Sequence, residues 1–572
     1  MAHAVPFHRM VPCSRKIEVV RVTKPAPYIK GRKGAVDALL APFDRSDAPG
    51  LIMAVKHKGE LLYRRGFGLA DVQAGTANTP QTRIRFASIT KQFTCLAVML
   101  LAEDGLVDID APVATHLDGL CEAVRQTTLR QFMTHTSGIR CTLELGTIAN
   151  GFALQPRDWQ TGAVRRQTSL QYEPGTGQLY CNGVFVMMSD LIEQVSGESY
   201  PAFMKRRIFE PLGMFDTDIV ENDHAMIPGM ASPHVPDDDQ WQRPPVDADI
   251  RGDGGIVSTV DDMLRWLEHL RGQKRIGTEA TWEEMLRPVT LQRGFTSTYA
   301  MGIKRHTFRG VEVLQHSGGL FGLNAQIITV PEHELDIAVA INGAPASATR
   351  TAFAVLEIWL DGALQEPAPH RPDAAGFTWL LGRTFAHPSG LLLTFDDMNG
   401  ELALAQMHMQ PAPILYEDET SIFALFEEIG FGPLVWKKAD LADFNAGRQS
   451  KLKVEIAGET CWLEPLQRPE CRSAEVFDNA VGRYASKALS ATLDIAADSD
   501  GLKAIIRGDY SGARSFEVSA LSDRHAGIAS QDGAERYAIE FDFSPEREAR
   551  GLWVDTHRAR RVRFERMEDI QP

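Results

Sequence analysis

The sequence predicts an α+β protein: a large first domain in which an antiparallel sheet is flanked by helices, then two small antiparallel all-β domains. Three observations carry this reading. Residues 33–364 mix helical and strand periodicity, with apolar side chains at helical spacing in 92–103, 183–195 and 260–270. A Pro-rich linker at residues 365–372 then breaks the chain, and beyond it only short alternating segments remain. Those segments repeat. Leu381-Gly382-Arg383, followed by Leu391-Leu392-Leu393-Thr394-Phe395 and Gly400, is echoed by Val481-Gly482-Arg483, Ala491-Thr492-Leu493-Asp494-Ile495 and Gly501. The two Gly-Arg steps lie 100 positions apart, the size of one small domain. Residues 373–470 and 471–572 therefore read as similar barrels or sandwiches in tandem.

Residues 1–32 are basic (Arg9, Arg15, Lys16, Arg21, Lys24, Lys30) and lack the apolar stretch of a secretory signal, so they read as a loosely ordered arm. In the first domain Gly105 and Gly197 stand where helices should end. The β-branched runs 325–330 and 335–341 flank Pro331-Glu332-His333-Glu334, the pattern of a hairpin.

At 572 residues the chain exceeds one hydrophobic core, and its 44% hydrophobic and 24% charged residues are ordinary for a folded soluble protein. A formal net charge of −15 argues against a nucleic-acid partner, which needs clustered Lys and Arg. The most apolar run, around Leu96 to Leu101, is far shorter than the ~18 residues that span a bilayer, so no membrane partner is expected. Seven cysteines, odd in number and without metal-type spacing, read as reduced thiols of a cytoplasmic protein, with the periplasm as the alternative.

Three segments carry chemistry. Ser88-Ile89-Thr90-Lys91 opens a helical stretch, so Ser88 stands at a helix start, where developing negative charge is favoured. Lys91, one turn on, can reach the hydroxyl, and a desolvated amine there can accept its proton. Alone the pattern is weak, since about one or two such matches arise by chance, and an N-cap serine beside a solvated lysine is the bland alternative. Tyr180-Cys181-Asn182 follows a Pro-Gly turn; if extended, it points a phenol and an amide to one side. Tyr180 then suits proton transfer and Asn182 suits holding a substrate amide. In His316-Ser317-Gly318-Gly319, Gly318 allows close approach of a ligand to a strand and His316 adds one adjustable polar group. Taken singly, Tyr180 beside an N-cap Asn182 and a lone His316 are as readily structural.

As an ordered set, these segments resemble the three active-site motifs of the serine β-lactamase and penicillin-binding-protein superfamily. Phe132-Met133-Thr134-His135-Thr136-Ser137-Gly138, Glu173-Pro174-Gly175 and Gly252-Asp253-Gly254-Gly255-Ile256 agree with it. His135 is taken as structural. The resemblance covers roughly residues 33–364 and, with two C-terminal domains, is greatest to the bacterial D-aminopeptidases. It implies two eight-stranded barrels, a homodimer, and a serine hydrolase needing no metal or cofactor. In this mechanism Ser88 is acylated, Lys91 and Tyr180 move its proton, and Asn182 with the backbone at Gly318 orients the substrate. Two backbone N–H groups, one from Ser88, would meet the oxyanion, a contribution of ~3–4 kcal/mol.

The implied substrate is a short peptide, amide or ester with an N-terminal D-residue such as D-Ala, with β-lactams as inhibitors. His316 stands where relatives that bind a free carboxylate carry lysine, which disfavours β-lactamase and carboxypeptidase activity. The resemblance further implies a last-barrel loop over the cleft, matching Arg507 to Arg514, with Asp509 as partner for a substrate ammonium; an ordinary turn is the alternative for Asp509. An esterase, a D-amino-acid amidase, a β-lactamase-like hydrolase, or a non-catalytic binding protein of this fold are the other readings.

Overall fold

The structure is a computed structural model that describes residues 31–222, 224–238, 240–244, 249–366, 372, 374–407, 411–416, 420–424, 434–499 and 501–567. Residues 1–30 of the basic arm and 367–371 of the Pro-rich linker lie outside the described residues; Gly31 and Arg32 already belong to the first helix.

The helices of the first part are α1 (Gly31–Leu40), α2 (Thr90–Glu103), α3 (Thr142–Asn150), α4 (Trp159–Arg165), α5 (Gly183–Ser196), α6 (Val260–Arg271) and α7 (Ala348–Trp359), with shorter turns between them. Its main sheet has strands β1 (Leu51–His57), β2 (Glu60–Phe67), β3 (Lys304–Phe308), β4 (Val311–Leu320), β5 (Leu323–Val330) and β6 (Leu335–Ile341), in the antiparallel order β3-β4-β5-β6-β1-β2. The expected hairpin is β5–β6, and Gly105 and Gly197 end α2 and α5 with φ of 71° each.

Strand alternation explains the layering. Leu51, Met53 and Val55 of β1, with Ile337 and Val339 of β6, pack on Val36 and Leu40 of α1 and on Ala352, Val355 and Trp359 of α7. The intervening Ile52 and Ala54, with Ala338 and Ala340, face the larger core holding Phe93, Phe185 and Trp266 from α2, α5 and α6. Every residue of α2 from Thr90 to Leu101 is buried, so the helix that carries Lys91 runs through the centre of the first part. A helix buried on all sides is held by packing rather than by one amphipathic stripe.

Two closed antiparallel barrels of eight strands follow, one from Thr384–Ala386 to Glu459–Pro465, the other from Gly482–Ser486 to Val562–Arg566. Closure removes the exposed edges that short strands would otherwise leave. Each barrel core takes in side chains of the first part. Leu179 packs with Phe385, Phe395 and Trp436 of the first barrel. Leu145, Ile148 and Ala149 of α3 and Trp159 of α4 join Phe516, Tyr537 and Ile539 of the second. Among the described residues no helix is long and apolar enough to cross a membrane.

Candidate active site

Ala87–Ile89 form a 3-10 turn that runs into α2, so Ser88 lies two residues before the helix. Ala87 takes a φ of 46°, strained for a residue with a side chain and sustained only by its surroundings. The Phe86 amide donates to Ile256 O at 2.9 Å. The Thr90 hydroxyl donates to Ala87 O at 2.6 Å and accepts from the Ile256 amide at 3.0 Å. The stretch ending at Ile256 thus clamps the nucleophile turn.

Lys91 Nζ donates to Ser88 Oγ at 3.1 Å, Asn182 Oδ1 at 2.8 Å and Asp253 O at 2.6 Å, one acceptor for each N–H of an ammonium. Burial lowers its pKa to about 8, against the pull of Asp253 and Cys141. About a tenth of the lysines are then free amines at pH 7, each with a lone pair beside the Ser88 hydroxyl.

The Tyr180 ring lies 4.8 Å from Lys91 Nζ and 4.2 Å from the His135 ring. Its hydroxyl is buried and close to Ser88 without a well-aligned hydrogen bond, and burial pushes the phenol well up while Ser88 and then Arg558 pull it back. Asn182 is committed within the protein: Oδ1 accepts from Lys91, and Nδ2 donates to Cys141 Sγ at 3.7 Å. Its oxygen thereby helps to hold the lysine beside Ser88.

His316 is buried, with Nε2 3.2 Å from the Tyr299 hydroxyl and Nδ1 2.5 Å from Ser317 O. With the proton on Nδ1, Nε2 accepts from Tyr299. Burial, and then Lys304, lower its pKa to about 3, so the ring is neutral at pH 7 and offers no cation to a carboxylate. A Cβ on Gly318 would stand 2.0 Å from Phe86 O and 3.2 Å from Ser88 N, so this glycine lets β4 lie against the nucleophile turn. β3 pairs only with residues 311–315, and the continuation of β4 from His316 to Leu320 is bonded to β5 alone in the sheet. That leaves a strand edge beside Ser88 along which an extended substrate backbone can bind.

Asp509 lies exposed in the loop between strands Gly501–Arg507 and Arg514–Ala520 and makes no ion pair among the described residues. The loop docks on the end of α3: the Tyr510 amide donates to Asn150 Oδ1 at 3.1 Å, and Arg514 donates to Thr147 O at 3.2 Å and Ile148 O at 2.5 Å. Two residues beyond Asn150, Phe152 meets Phe321 at the β4–β5 turn edge to face, with centroids 5.1 Å apart.

Ser88, Lys91, Tyr180, Asn182, His316 and Gly318 are therefore brought together, while Asp509 belongs to a loop resting on α3. Three neighbours were not singled out for the site from the sequence. Tyr299 holds His316; His135, whose Nδ1 accepts from the Cys181 amide at 3.1 Å, backs Tyr180; and Arg558 of the second barrel lies 5.9 Å from the Tyr180 ring. Nothing local marks Tyr299 or Arg558, since each acts across a long sequence separation.

Comparison with known proteins agrees with this geometry. Residues 36–358 match the Beta-lactamase family. The D-aminopeptidase of Brucella anthropi is 30% identical over 355 residues, which cover 61% of this chain and 66% of that protein, just under two thirds of its length. The D-aminopeptidase of Brucella melitensis biotype 1 is 26% identical over 471 residues, covering 80% of this chain and 83% of that protein. A solved octameric penicillin-binding protein homologue from Pyrococcus abyssi has a TM-score of 0.52 at 18% identity, covering 93% of this chain and 99% of that one, and shows the same fold. The family match spans more than half of the sequence, and the chain belongs to the Beta-lactamase family.

Proposed function

We propose that this protein is a serine hydrolase that releases N-terminal D-residues, such as D-Ala, from short peptides, amides and esters through an acyl-enzyme. The observation that carries the reading is the buried Lys91 ammonium 3.1 Å from Ser88 Oγ, with Tyr180 beside both. Ser88 attacks the substrate carbonyl as its proton passes to the Lys91 amine or through Tyr180. The Ser88 amide receives the oxyanion, the proton is returned to the leaving amine, and water then hydrolyses the ester. The D-aminopeptidase relatives support the substrate class. The neutral, Tyr299-bound His316 supports a substrate without a carboxylate at that position, so β-lactams act as slow acylating inhibitors rather than substrates.

One observation favours a second reading. Asp509 is exposed and rests on α3 through its loop, so an esterase or D-amino-acid amidase that does not select for a substrate ammonium fits the same chemistry. A panel of D- and L-aminoacyl p-nitroanilides, acyl esters and a chromogenic cephalosporin separates the readings: D-aminoacyl anilides should turn over fastest. Equal rates on N-acylated esters would support the esterase, and rapid cephalosporin turnover would overturn both. The six described cysteines are all free, which supports a reducing cytoplasm as the site of action. The expected homodimer is tested by light scattering.

A further inference from the structure

The second barrel reaches the active site through a loop other than the one bearing Asp509. Between strands Ala549–Asp555 and Val562–Arg566 the chain closes on itself, with the Thr556 amide donating to Ala559 O at 2.8 Å and the Ala559 amide to Thr556 Oγ1 at 2.9 Å. This tight loop is bonded to the first part of the chain at several points. The Cys141 amide donates to Arg558 O at 3.1 Å, and Arg140 donates to Arg560 O at 2.5 Å and Arg561 O at 3.2 Å. The Arg558 side chain enters the first part and donates to Glu144 Oε1 from Nη2 at 2.9 Å and from Nε at 3.3 Å. Its guanidinium carbon then stands 5.9 Å from the centre of the Tyr180 ring.

We propose that Arg558 is a positioning residue for the reaction at Ser88: docked by its barrel and fixed by Glu144, it sets the protonation of Tyr180 and Lys91 from across the domain junction.

The electrostatics point the same way. A fixed cation favours the deprotonated forms of both a phenol and an amine, which are the forms that can take the Ser88 proton. The groups facing Tyr180 are Ser88, Lys91, His135, Cys141, Asp253, Tyr299, His316 and Arg558. Among them, Asp253 and Cys141 add to the upward push of burial on the phenol, and Ser88 and Arg558 oppose it. At Lys91 burial lowers the amine, Asp253, Cys141 and Cys181 resist, and Arg558 reinforces the lowering. His135 and His316 are held neutral by burial, which leaves Arg558 as the permanent cation of the group.

The proposal rests on the serine-hydrolase reading, but its test does not depend on the substrate. The rate at which a fluorophosphonate labels Ser88 is followed against pH in the full-length protein, with the adduct located by mass spectrometry. In Arg558→Met the rising limb of the profile should move up by about one pH unit, making labelling roughly tenfold slower at pH 7 and restoring it at alkaline pH. Arg558→Lys, which keeps the charge, should return the limb towards wild type. If Arg558→Met does not fold, Arg558→Gln supplies the neutral variant. A uniform loss with an unmoved limb in the folded variant would overturn the proposal by making Arg558 purely structural, and so would an unchanged rate. Failure of the wild-type protein to label at Ser88 would instead sink the hydrolase reading, and the proposal with it.

Discussion

The first barrel takes an apolar side chain of the Tyr180 segment, Leu179, into a core of Phe385, Phe395 and Trp436, whereas the second sets a guanidinium beside that segment. Leu179 and Tyr180 are adjacent, so one residue anchors in the first barrel while the next lies beside Arg558 of the second. Both barrels have eight antiparallel strands in the same sequential order. Both take apolar side chains of the first part into their cores, but only the second sets a buried cation beside Tyr180: an apolar anchor fixes position, and a buried cation also changes the acidity of what it faces. A repeated fold thus acquires two roles without any change in its strands.

The comparison presupposes a reaction at Ser88, and breaking that has the largest effect. Ser88→Ala should reduce kcat by roughly 10⁴-fold or more, measured on D-aminoacyl p-nitroanilides; full activity would leave neither barrel a catalytic site to serve. Leu179→Ala should destabilise the protein by about 2–5 kcal/mol, read as a lower urea midpoint, because it empties part of the first barrel's core. Its rising pH limb should stay where it is, and a shift comparable to that of Arg558→Met would erase the distinction between the barrels.

The second barrel's other loop gives a smaller effect. If Asp509 pairs with the substrate ammonium, Asp509→Asn should raise KM for aminopeptides roughly 10- to 150-fold, the loss of a charge-assisted hydrogen bond of about 1.5–3 kcal/mol. Hydrolysis of an N-acetylated ester should be nearly unchanged. Equal losses on both substrates would reduce the loop to a support for α3. The smallest effect is the pH dependence of the intact enzyme. Lys91 accepts a proton only as the free amine, so kcat/KM should fall as pH drops through its value of about 8, changing roughly fivefold between pH 7 and pH 8. A flat profile over that interval would remove Lys91 as the base.

What was legible in the sequence is what short-range geometry dictates. Ser88 and Lys91 stand three residues apart at a helix start, so helical spacing alone brings hydroxyl and amine together. The β5–β6 hairpin and the barrel repeat carry their own period and turns. Partners fixed by docking were not legible. Nothing local in Arg558-Ala559-Arg560-Arg561 marks it for burial, yet Arg560 is 5% exposed because the loop is pressed between the parts of the chain. That Asn182 accepts from Lys91 was likewise hidden, because a sequence does not reveal which side chain will meet its oxygen. Gly318 was rightly singled out as a point of close approach, but the Cβ side faces the nucleophile turn rather than a ligand.

The docking of the Arg558 loop has a consequence in time. A polypeptide is made from its N-terminus, and Ser88 precedes Arg558 by 470 positions. Throughout that interval the growing chain carries its nucleophile and lysine but lacks the cation that would tune them. The second barrel closes only with the strand Val562–Arg566, so the cation is docked only after that strand has been made. A chain cut before that strand holds all three motifs and lacks the docked cation.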